Sequence, residues 1–334
     1  MSARHRFRTT VLPALLVSVL AVSACAGETG DSTSGDSEKP IARIVTVGTP
    51  GTNVGFLFDD IPMAVEAAGG GAEDAGYFPS TQPALEALSG GAADFATIVT
   101  SGALTGLTGT GDYLFLGVAK ASAGQSSSIV VPAGSDIKTV EDLAGKSVAV
   151  TKGAAGEYIV DQAMLNHGMP ADSIKKVYLG PGDAAGAFIQ GSIDAWAAFD
   201  IFIPAAVTKM GARVLITGDD ELTGKFDYPV LVVTRFFAEA HPEVTAAVLK
   251  GYTKGGQHVI EDPDEYLSIQ KTANDFSPEQ MDYIFDRLLV YEAYDAQTLA
   301  ELQESIDSWN EIGTLSEKLA AKDIVFDVAS VPAS

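Results

Sequence analysis

Short apolar runs rich in β-branched residues recur along this chain and predict β-strands. The predicted strands cover residues 41–48, 76–78, 94–99, 114–119, 128–131, 147–150, 176–179, 193–198, 213–216 and 228–234. Helical patterns lie between many of these runs and follow loops rich in small and hydroxyl residues. The predicted helices end near residue 68 and residue 167, cover 83–88 and 183–190, include a turn at 140–143, and fill almost all of 242–312. Strands that alternate with helices across short loops predict an α/β fold on parallel sheets.

The α/β pattern restarts after about residue 128, which predicts two similar lobes followed by a helical C-terminal region. We expect one lobe to contain residues 41–129 plus 235–334, and the other to contain residues 130–234. The chain would then cross between the lobes twice. A chain of 334 residues also exceeds the usual size of a single hydrophobic core, which favours two lobes.

The N-terminal region has the pattern of an export signal. Three arginines occur within the first eight residues, and the apolar stretch 11–24 is too short to span a bilayer. Small residues lead into Cys25, the only cysteine, and this arrangement resembles a bacterial lipoprotein signal. We expect residues 1–24 to be removed, Cys25 to be lipidated, and residues 25–40 to be a flexible tether on an extracytoplasmic protein anchored to the cell membrane. The alternative is a plain secretory peptide with an incidental cysteine.

The charge balance excludes some partners. Forty-four acidic side chains outnumber 21 basic ones, for a formal net charge of −23. Such a surface argues against binding to nucleic acid or, by charge, to anionic lipid. The acids are scattered rather than clustered, which is typical of solvated surfaces.

The sequence contains no familiar catalytic or metal-binding pattern. It has no Gly-x-Ser-x-Gly elbow, P-loop, His-Glu-x-x-His pair, EF-hand loop or dinucleotide-binding glycine pattern. The four histidines lack ligand-like spacing. We therefore expect a protein that is not an enzyme and uses neither a metal nor a cofactor.

Four loops at predicted strand-to-helix junctions are candidates for ligand binding. They cover residues 49–53, 78–82, 99–102 and 152–156. Ligands of open α/β sheets lie beyond the carboxyl ends of the strands, and free N–H groups at helix N-termini favour anions. Together with the aromatic and acidic segment 196–200, these loops predict a cleft between the lobes. The alternatives are helix capping by the hydroxyl residues and by Asp200, and core packing for Trp196 and Phe199.

Four segments resemble a known family, the substrate-binding lipoproteins of ABC importers for aliphatic sulfonates, taurine and nitrate. They are 140–153 (Val-Glu-Asp-Leu-Ala-Gly-Lys-Ser-Val-Ala-Val-Thr-Lys-Gly), 193–200 (Ile-Asp-Ala-Trp-Ala-Ala-Phe-Asp), 236–243 (Phe-Phe-Ala-Glu-Ala-His-Pro-Glu) and 309–313. The resemblance implies a type II periplasmic-binding-protein fold, with two lobes, two crossovers and a helical C-terminal region, that closes on a small ligand by hinge motion.

The resemblance also implies a set of ligand-binding residues. These are Asn53, Ser80, Thr81, Thr100, Ser101, Ala154, Ala155, Gly156, Trp196, Phe199 and Asp200. Backbone N–H groups of 154–156 would hold an anionic head, and the four hydroxyl residues would add donors. The family usually has two serines where this chain has Ala154 and Ala155, so two hydroxyl donors are absent.

The remaining implied roles concern the polar rim and the apolar wall. Asn53 would bind at the rim, Trp196 and Phe199 would form the wall, and Asp200 would meet an amine, as a zwitterion such as taurine requires. The family often has Trp-Asp-Pro where this chain has Phe199-Asp200-Ile201. Both departures fall where the ligand would lie, and they leave the identity of the ligand open.

The resulting expectation is a monomeric solute-binding protein that captures a small organic anion or zwitterion and delivers it to a membrane permease with its ATPase. Nitrate or a heteroaromatic of the thiamine-pyrimidine type is an alternative ligand on the same fold. A ligand sensor for a membrane kinase is an alternative function. An enzyme on this fold would need reactive His and Cys side chains, which are scarce in this chain.

Overall fold

A computed structural model describes residues 39–49, 52–109, 111–121, 127–221, 227–274, 276–285, 289–311, 313 and 315–332. The predicted signal peptide 1–24, the lipidation residue Cys25 and the tether as far as residue 38 lie outside this part of the chain. Lys39–Ser334 form one compact unit. Within the described residues, no helix combines the length and apolar character needed to cross a bilayer.

The strands mostly begin and end where the apolar runs do. They are β1 (Ile41–Val47), β2 (Gly71–Phe78), β3 (Phe95–Val99), β4 (Tyr113–Ala121), β5 (Ser127–Pro132), β6 (Ser147–Val150), β7 (Lys175–Tyr178), β8 (Ala195–Phe199), β9 (Ala212–Thr217), β10 (Pro229–Thr234) and β11 (Leu289–Glu292). Most of them carry buried β-branched or aromatic side chains, the residue types that suit a pleated and covered surface.

The helices connect the strands and form the C-terminal region. They are α1 (Val54–Leu57), α2 (Asp60–Ala67), α3 (Thr81–Ser89), α4 (Thr100–Leu107), α5 (Ala155–Asn166), α6 (Pro181–Ile189), α7 (Phe202–Met210), α8 (Gly218–Glu221), α9 (Arg235–Ala240), α10 (Pro242–Glu261), α11 (Pro263–Asn274), α12 (Pro278–Phe285), α13 (Ala296–Glu311) and α14 (Ala321–Ile324). Short 3₁₀ turns cover Glu141–Leu143, Ala171–Ser173 and Val328–Ser330.

The strands form two sheets, which define two lobes. Lobe 1 contains the six-stranded sheet in the order β11-β4-β10-β3-β1-β2, and lobe 2 contains the five-stranded sheet in the order β7-β6-β8-β5-β9. The expectation of parallel sheets is wrong in part. β1 is parallel to β2 and β3, and β6 is parallel to β7 and β8, whereas β10 and β5 are antiparallel to both of their neighbours. β5 and β10 run opposite to their neighbours because the chain enters each of these strands from the other lobe.

The sheets also shift the predicted boundaries between the lobes. β5 joins the sheet of lobe 2 from Ser127 onward, and β10 lies between β3 and β4 of lobe 1. Assigning residues 229–234 to lobe 2 is therefore wrong. A continuous apolar run indicates a strand buried on both faces, but it carries no information about which sheet the strand joins.

Close helix packing holds α1 against α10 in lobe 1. A Cβ atom on Gly255 would lie only 2.8 Å from the Cα atom of Gly55, so a glycine is needed at position 255. The contact positions the start of α1, with Asn53, beside Tyr252 of α10. The close approach of the α1 and α10 backbones therefore forms one wall of the site described below.

The C-terminal region is helical, as predicted, except at β11. The prediction of continuous helix there is wrong because the short run Leu-Val-Tyr-Glu adds an antiparallel edge strand to β4. The last long helix, α13, contacts both lobes. Its Trp309 packs on Tyr158 of α5 with ring centroids 4.5 Å apart, and Gln162 of α5 donates a hydrogen bond to Ser308 Oγ at 3.4 Å.

Candidate functional site

A cavity of about 290 Å³ lies between the two sheets, and we call it the first cavity. It opens at the carboxyl ends of β1 and β3, where residues 46–49 and 97–99 form its floor. The segment 199–202, which follows β8 of lobe 2, forms the opposite wall. Helices α10 to α12 and strand β11 close the sides. This is the position that ligands occupy in open α/β sheets, and the volume is at the lower end for small-molecule sites.

Asn53 is at the polar end of the first cavity. Its side chain is 1 % exposed, and its Nδ2 donates hydrogen bonds to Thr46 Oγ1 and to the Tyr252 hydroxyl, both at 2.9 Å. The side chain does not cap α1. Its Oδ1 is buried and accepts no hydrogen bond from the described residues. Thr46 of β1 and Tyr252 of α10 therefore hold the amide in place. The rim role predicted for Asn53 stays a prediction.

Asp200 is the acidic residue of the first cavity. It follows β8 with φ at +45°, in the left-handed region that Asp and Asn tolerate better than most residues. Its backbone oxygen accepts a hydrogen bond from the N–H of Ile203 at 3.0 Å. α7 begins at Phe202, with Ile201 rather than Asp200 in the cap position. Asp200 is an exposed residue that lines the cavity.

Aromatic rings form much of the remaining surface. Phe199 and Phe202 meet edge to face with centroids 5.6 Å apart, and Tyr252 and Tyr291 lie 5.0 Å apart. Burial raises the pKa of both tyrosines, and the Asp200 charge raises that of Tyr291 further. Burial also raises the pKa of Tyr266 to about 12. These phenols are therefore neutral at physiological pH and can donate hydrogen bonds.

Trp196 is not part of the cavity wall, so its predicted role is wrong. It is 0 % exposed and lies in the core of lobe 2, with ring centroids 6.1 Å from both Phe188 and Phe202. Successive side chains of a strand point to opposite faces, and Trp196 shares its face with Ala198 rather than with the cavity. Phe199, at the end of the same strand, does line the first cavity.

Among the hydroxyl residues, Thr100 and Ser101 have structural partners at the crossover. The Thr100 hydroxyl donates to the Tyr228 backbone oxygen at 2.9 Å, and the Ser101 N–H donates to Asp227 Oδ1 at 2.8 Å. Burial raises the pKa of Asp227 to about 7. Neither Thr100 nor Ser101 lines the first cavity. They join the start of α4 to the segment that leads into β10.

Ser80 and Thr81 also lie away from the first cavity. Ser80 occupies the N-cap position of α3 without a side-chain cap bond. Thr81 lines a second cavity of about 420 Å³, which α3, α4, α5 and α13 enclose together with Lys152 and Gly153. The predicted loops are therefore divided between two cavities instead of meeting in one.

The predicted anion cradle at 154–156 packs onto its own lobe. The Ala154 N–H donates to the Thr151 backbone oxygen at 3.2 Å, and Ala155 is almost fully buried. A Cβ atom on Gly156 would lie 2.4 Å from the Ala197 backbone oxygen, so this glycine is needed for packing against β8. None of the three residues lines either cavity. Their role as anion donors at the first cavity is not supported by the geometry.

Several cavity residues were absent from the sequence-based prediction. Tyr252, Val259, Tyr266 and Tyr291 come from the C-terminal region, which the prediction treated only as helical packing. The seven-residue spacing of Tyr252 and Val259 places both on one face of α10, and this spacing was the available signal. No group of three or more His, Cys, Asp or Glu in the described residues could hold a metal ion.

Comparison with known proteins identifies the family. The sequence profile described as NMT1/THI5 like matches residues 64–266, well over half of the chain. The chain belongs to the NMT1/THI5-like family. Two proteins similar to this chain are named as aliphatic sulfonates-binding proteins. One, from Escherichia coli K12, is 33 % identical over 53 % of this chain. The other, from Bacillus subtilis 168, is 25 % identical over 74 % of this chain.

Each alignment covers only part of the length of the relative. The chain spans 54 % of the Escherichia coli relative and 74 % of the Bacillus subtilis relative. Most of the chain is matched in fold by the solved alkanesulfonate-binding protein SsuA of Xanthomonas axonopodis pv. citri bound to MOPS. That match has a TM-score of 0.75 at 21 % identity and covers 86 % of this chain and 99 % of the other. The likeness confirms the predicted two-lobed periplasmic-binding-protein fold for this NMT1/THI5-like chain.

Proposed function

We propose that this chain is the solute-binding component of an ABC importer. It captures a small organic anion or zwitterion of the sulfonate or taurine type between its lobes and delivers it to a membrane permease and its ATPase. The observation that carries the proposal is the first cavity, which lies between two sheets at the carboxyl ends of β1 and β3. The names of the two relatives support the same class of solute.

In this proposal the protein binds and releases its solute without reaction. The sequence lacks catalytic patterns, and the described residues that line the first cavity carry hydroxyl, aromatic and aliphatic side chains, one amide and one carboxylate. A nucleophile paired with a base would be the signature of covalent chemistry, and this lining does not suggest one. We propose that the protein acts as a monomer.

A heteroaromatic solute is the second candidate. The aromatic side chains around the first cavity favour it, because flat rings stack well on neighbouring rings. Phe199 of lobe 2 and Tyr291 of lobe 1 both line the cavity and offer such rings. The binding experiment below includes this class.

We also propose that the protein is anchored by lipid at the outer face of the membrane. The support is the run of small residues that ends in Cys25, after the short apolar stretch 11–24. Labelling cells with a fatty acid that carries a clickable tag should mark the wild-type protein and not the Cys25→Ser variant. Equal labelling of both proteins would contradict lipidation at this residue.

The solute-binding proposal is tested by thermal unfolding of the purified protein with a panel of solutes. The panel contains taurine, alkanesulfonates, aromatic sulfonates, nitrate, dicarboxylates and pyrimidines. A solute at 100 times its dissociation constant stabilises the folded state by about 2.7 kcal/mol, which raises Tm by about 4 °C for a chain of this size. A selective shift with one class supports the proposal, and no shift with any member contradicts it.

A further inference from the structure

Asp227 is a buried carboxylate at the junction of the two lobes, and the proposed function does not use it. It precedes β10 on the segment by which the chain returns to lobe 1, and it is 4 % exposed. Its Oδ1 accepts a hydrogen bond from the Ser101 N–H of α4 at 2.8 Å. Its Oδ2 is buried and accepts no hydrogen bond from the described residues. A buried carboxylate that is only partly hydrogen-bonded is unfavourable in its charged form.

Lobe 2 supplies part of the cover over Asp227. Tyr158 of α5 is 0 % exposed and packs within the apolar core of lobe 1, where its ring meets Trp309 of α13. Burial and, after it, the Asp227 charge raise the pKa of the Tyr158 phenol, so the two side chains interact across the junction. The lobes also meet at Gly102, where a Cβ atom would lie 2.6 Å from the Gly153 backbone oxygen. This closed arrangement of the lobes therefore buries Asp227.

The described groups that face Asp227 are uncharged. Helix α4 and strand β10 carry no titratable side chain. Helix α5 contributes the Tyr158 phenol, whereas its two acids near this end, Glu157 and Asp161, form ion pairs with Lys176. The junction therefore offers Asp227 no positive charge from these elements.

This environment favours the protonated form of Asp227. Burial raises the pKa of Asp227 to about 7, against the effect of the hydrogen bonds from Ser101, and no charged side chain of the described residues shifts it. The next residue, Tyr228, adds only a phenol. An aspartate in contact with water has a pKa near 4. Separation of the lobes would remove the cover that Tyr158 provides, so the proton would leave.

We infer that closure of the lobes is coupled to proton uptake at Asp227, so that acidic conditions favour the closed protein. This inference rests on the proposed function, because capture of a solute between two lobes requires that they open and close. The contribution of Asp227 to closure is fully present below about pH 4 and is lost as the pH rises to about 7. The protein therefore holds its solute more tightly in an acidified medium than at neutral pH.

Binding of 1-butanesulfonate at pH 5 and pH 7.5 tests the coupling, since a sulfonate keeps its charge over this range. Calorimetric titration of the wild type should show about 10- to 100-fold weaker binding at pH 7.5 than at pH 5, the effect of one proton over one to two pH units. Asp227→Asn should remove this dependence, because an amide does not titrate. The variant should bind at pH 7.5 about as tightly as the wild type does at pH 5.

A second readout needs no solute. The protein has two tryptophans, of which Trp196 is enclosed in the core of lobe 2 and Trp309 lies at the junction against Tyr158. Quenching of their fluorescence by acrylamide therefore reports the opening of the lobes through Trp309. Quenching in the wild type should increase from pH 5 to pH 7.5, and Asp227→Asn should keep the low value at both.

Asp194→Asn is the matched control for both readouts. Asp194 also accepts a backbone N–H at 2.8 Å, from Ser147, but it lies at the amino end of β8, opposite to the first cavity. The bonds from Ser147 lower its pKa, so Asp194 stays charged over the range of the test. Its replacement should leave the pH dependence of the wild type unchanged.

The outcomes separate this inference from the proposed function. A pH dependence in either readout that is lost in Asp227→Asn and kept in Asp194→Asn supports the inference. It is overturned when neither readout of the wild type depends on pH, or when Asp227→Asn keeps the dependence. In that case, binding of 1-butanesulfonate at both pH values leaves the proposed function in place. Quenching that depends on pH through Asp227, together with no binding of any solute, keeps the coupling and contradicts the proposed function.

Discussion

Replacing the buried Asp227 by asparagine should stabilise the protein, and the gain should grow as the pH rises from 4 to 7. Asp227 is 4 % exposed and accepts a hydrogen bond from the Ser101 N–H at 2.8 Å. Burial raises its pKa to about 7, although the bonds from Ser101 act in the opposite direction. An asparagine oxygen can accept the same N–H, so the substitution removes the charge while keeping this contact.

The sign and size of the effect follow from the two pKa values. In the unfolded chain an aspartate loses its proton near pH 4, whereas Asp227 in the folded protein keeps its proton until about pH 7. The folded state is therefore favoured at low pH, and this contribution is lost as the pH rises from 4 to 7. Three pKa units correspond to about 4 kcal/mol, which is the largest gain that Asp227→Asn can produce.

Urea unfolding of both proteins at pH 4, 5, 6 and 7 measures this difference. The other acidic groups are common to both proteins, so their effects cancel in the difference. Asp194→Asn is a control of opposite sign, because the N–H and hydroxyl of Ser147 donate to Asp194 at 2.8 and 2.7 Å and lower its pKa. That variant should lose stability mainly at neutral pH. A difference for Asp227→Asn that is independent of pH, or negative at pH 7, would refute the reasoning.

Two further substitutions test the packing of the lobes. Trp196→Ala should lower the free energy of unfolding in urea by about 3–5 kcal/mol, because Trp196 lies in the core of lobe 2. The molecules that remain folded should keep the solute affinity of the wild type. Lost affinity with unchanged stability would contradict this assignment to the core. Gly102→Ala should cost about 1–3 kcal/mol in the same assay, since its Cβ would lie 2.6 Å from the Gly153 backbone oxygen of the other lobe. Gly134→Ala, where a Cβ meets no atom within 4 Å, is the matched control, and equal effects of the two substitutions would argue against the contact between lobes.

Local patterns predicted most of the strands because local burial determines them. The runs that became β1, β3 and β6 are β-branched, buried and bounded by turn residues, so pattern and structure agree. The edge strand β11 was missed because four residues between long helices carry little periodic signal. The sheet that β10 joins was assigned wrongly because strand pairing over more than a hundred residues leaves no mark in the local pattern.

The residues of the candidate site also divide into those that local patterns predicted and those that depend on distant contacts. Asn53, Phe199 and Asp200 were predicted and do line the first cavity, since they follow strands whose carboxyl ends face it. Trp196 was placed in the cleft because a family resemblance assigns a segment and not the face of a strand. The tyrosines of α10 and β11 were missed because only the packing of the C-terminal region against β1 and β3 brings them to the cavity.

A crystal structure of the protein with the solute that gives the largest Tm shift would test the central claim most directly. The account predicts electron density for the solute in the first cavity, in contact with Phe199 and Asp200 of lobe 2 and with the floor formed by residues 46–49 and 97–99. Density in the second cavity, beside Thr81 and Gly153, or on the outer surface with the first cavity empty, would contradict it.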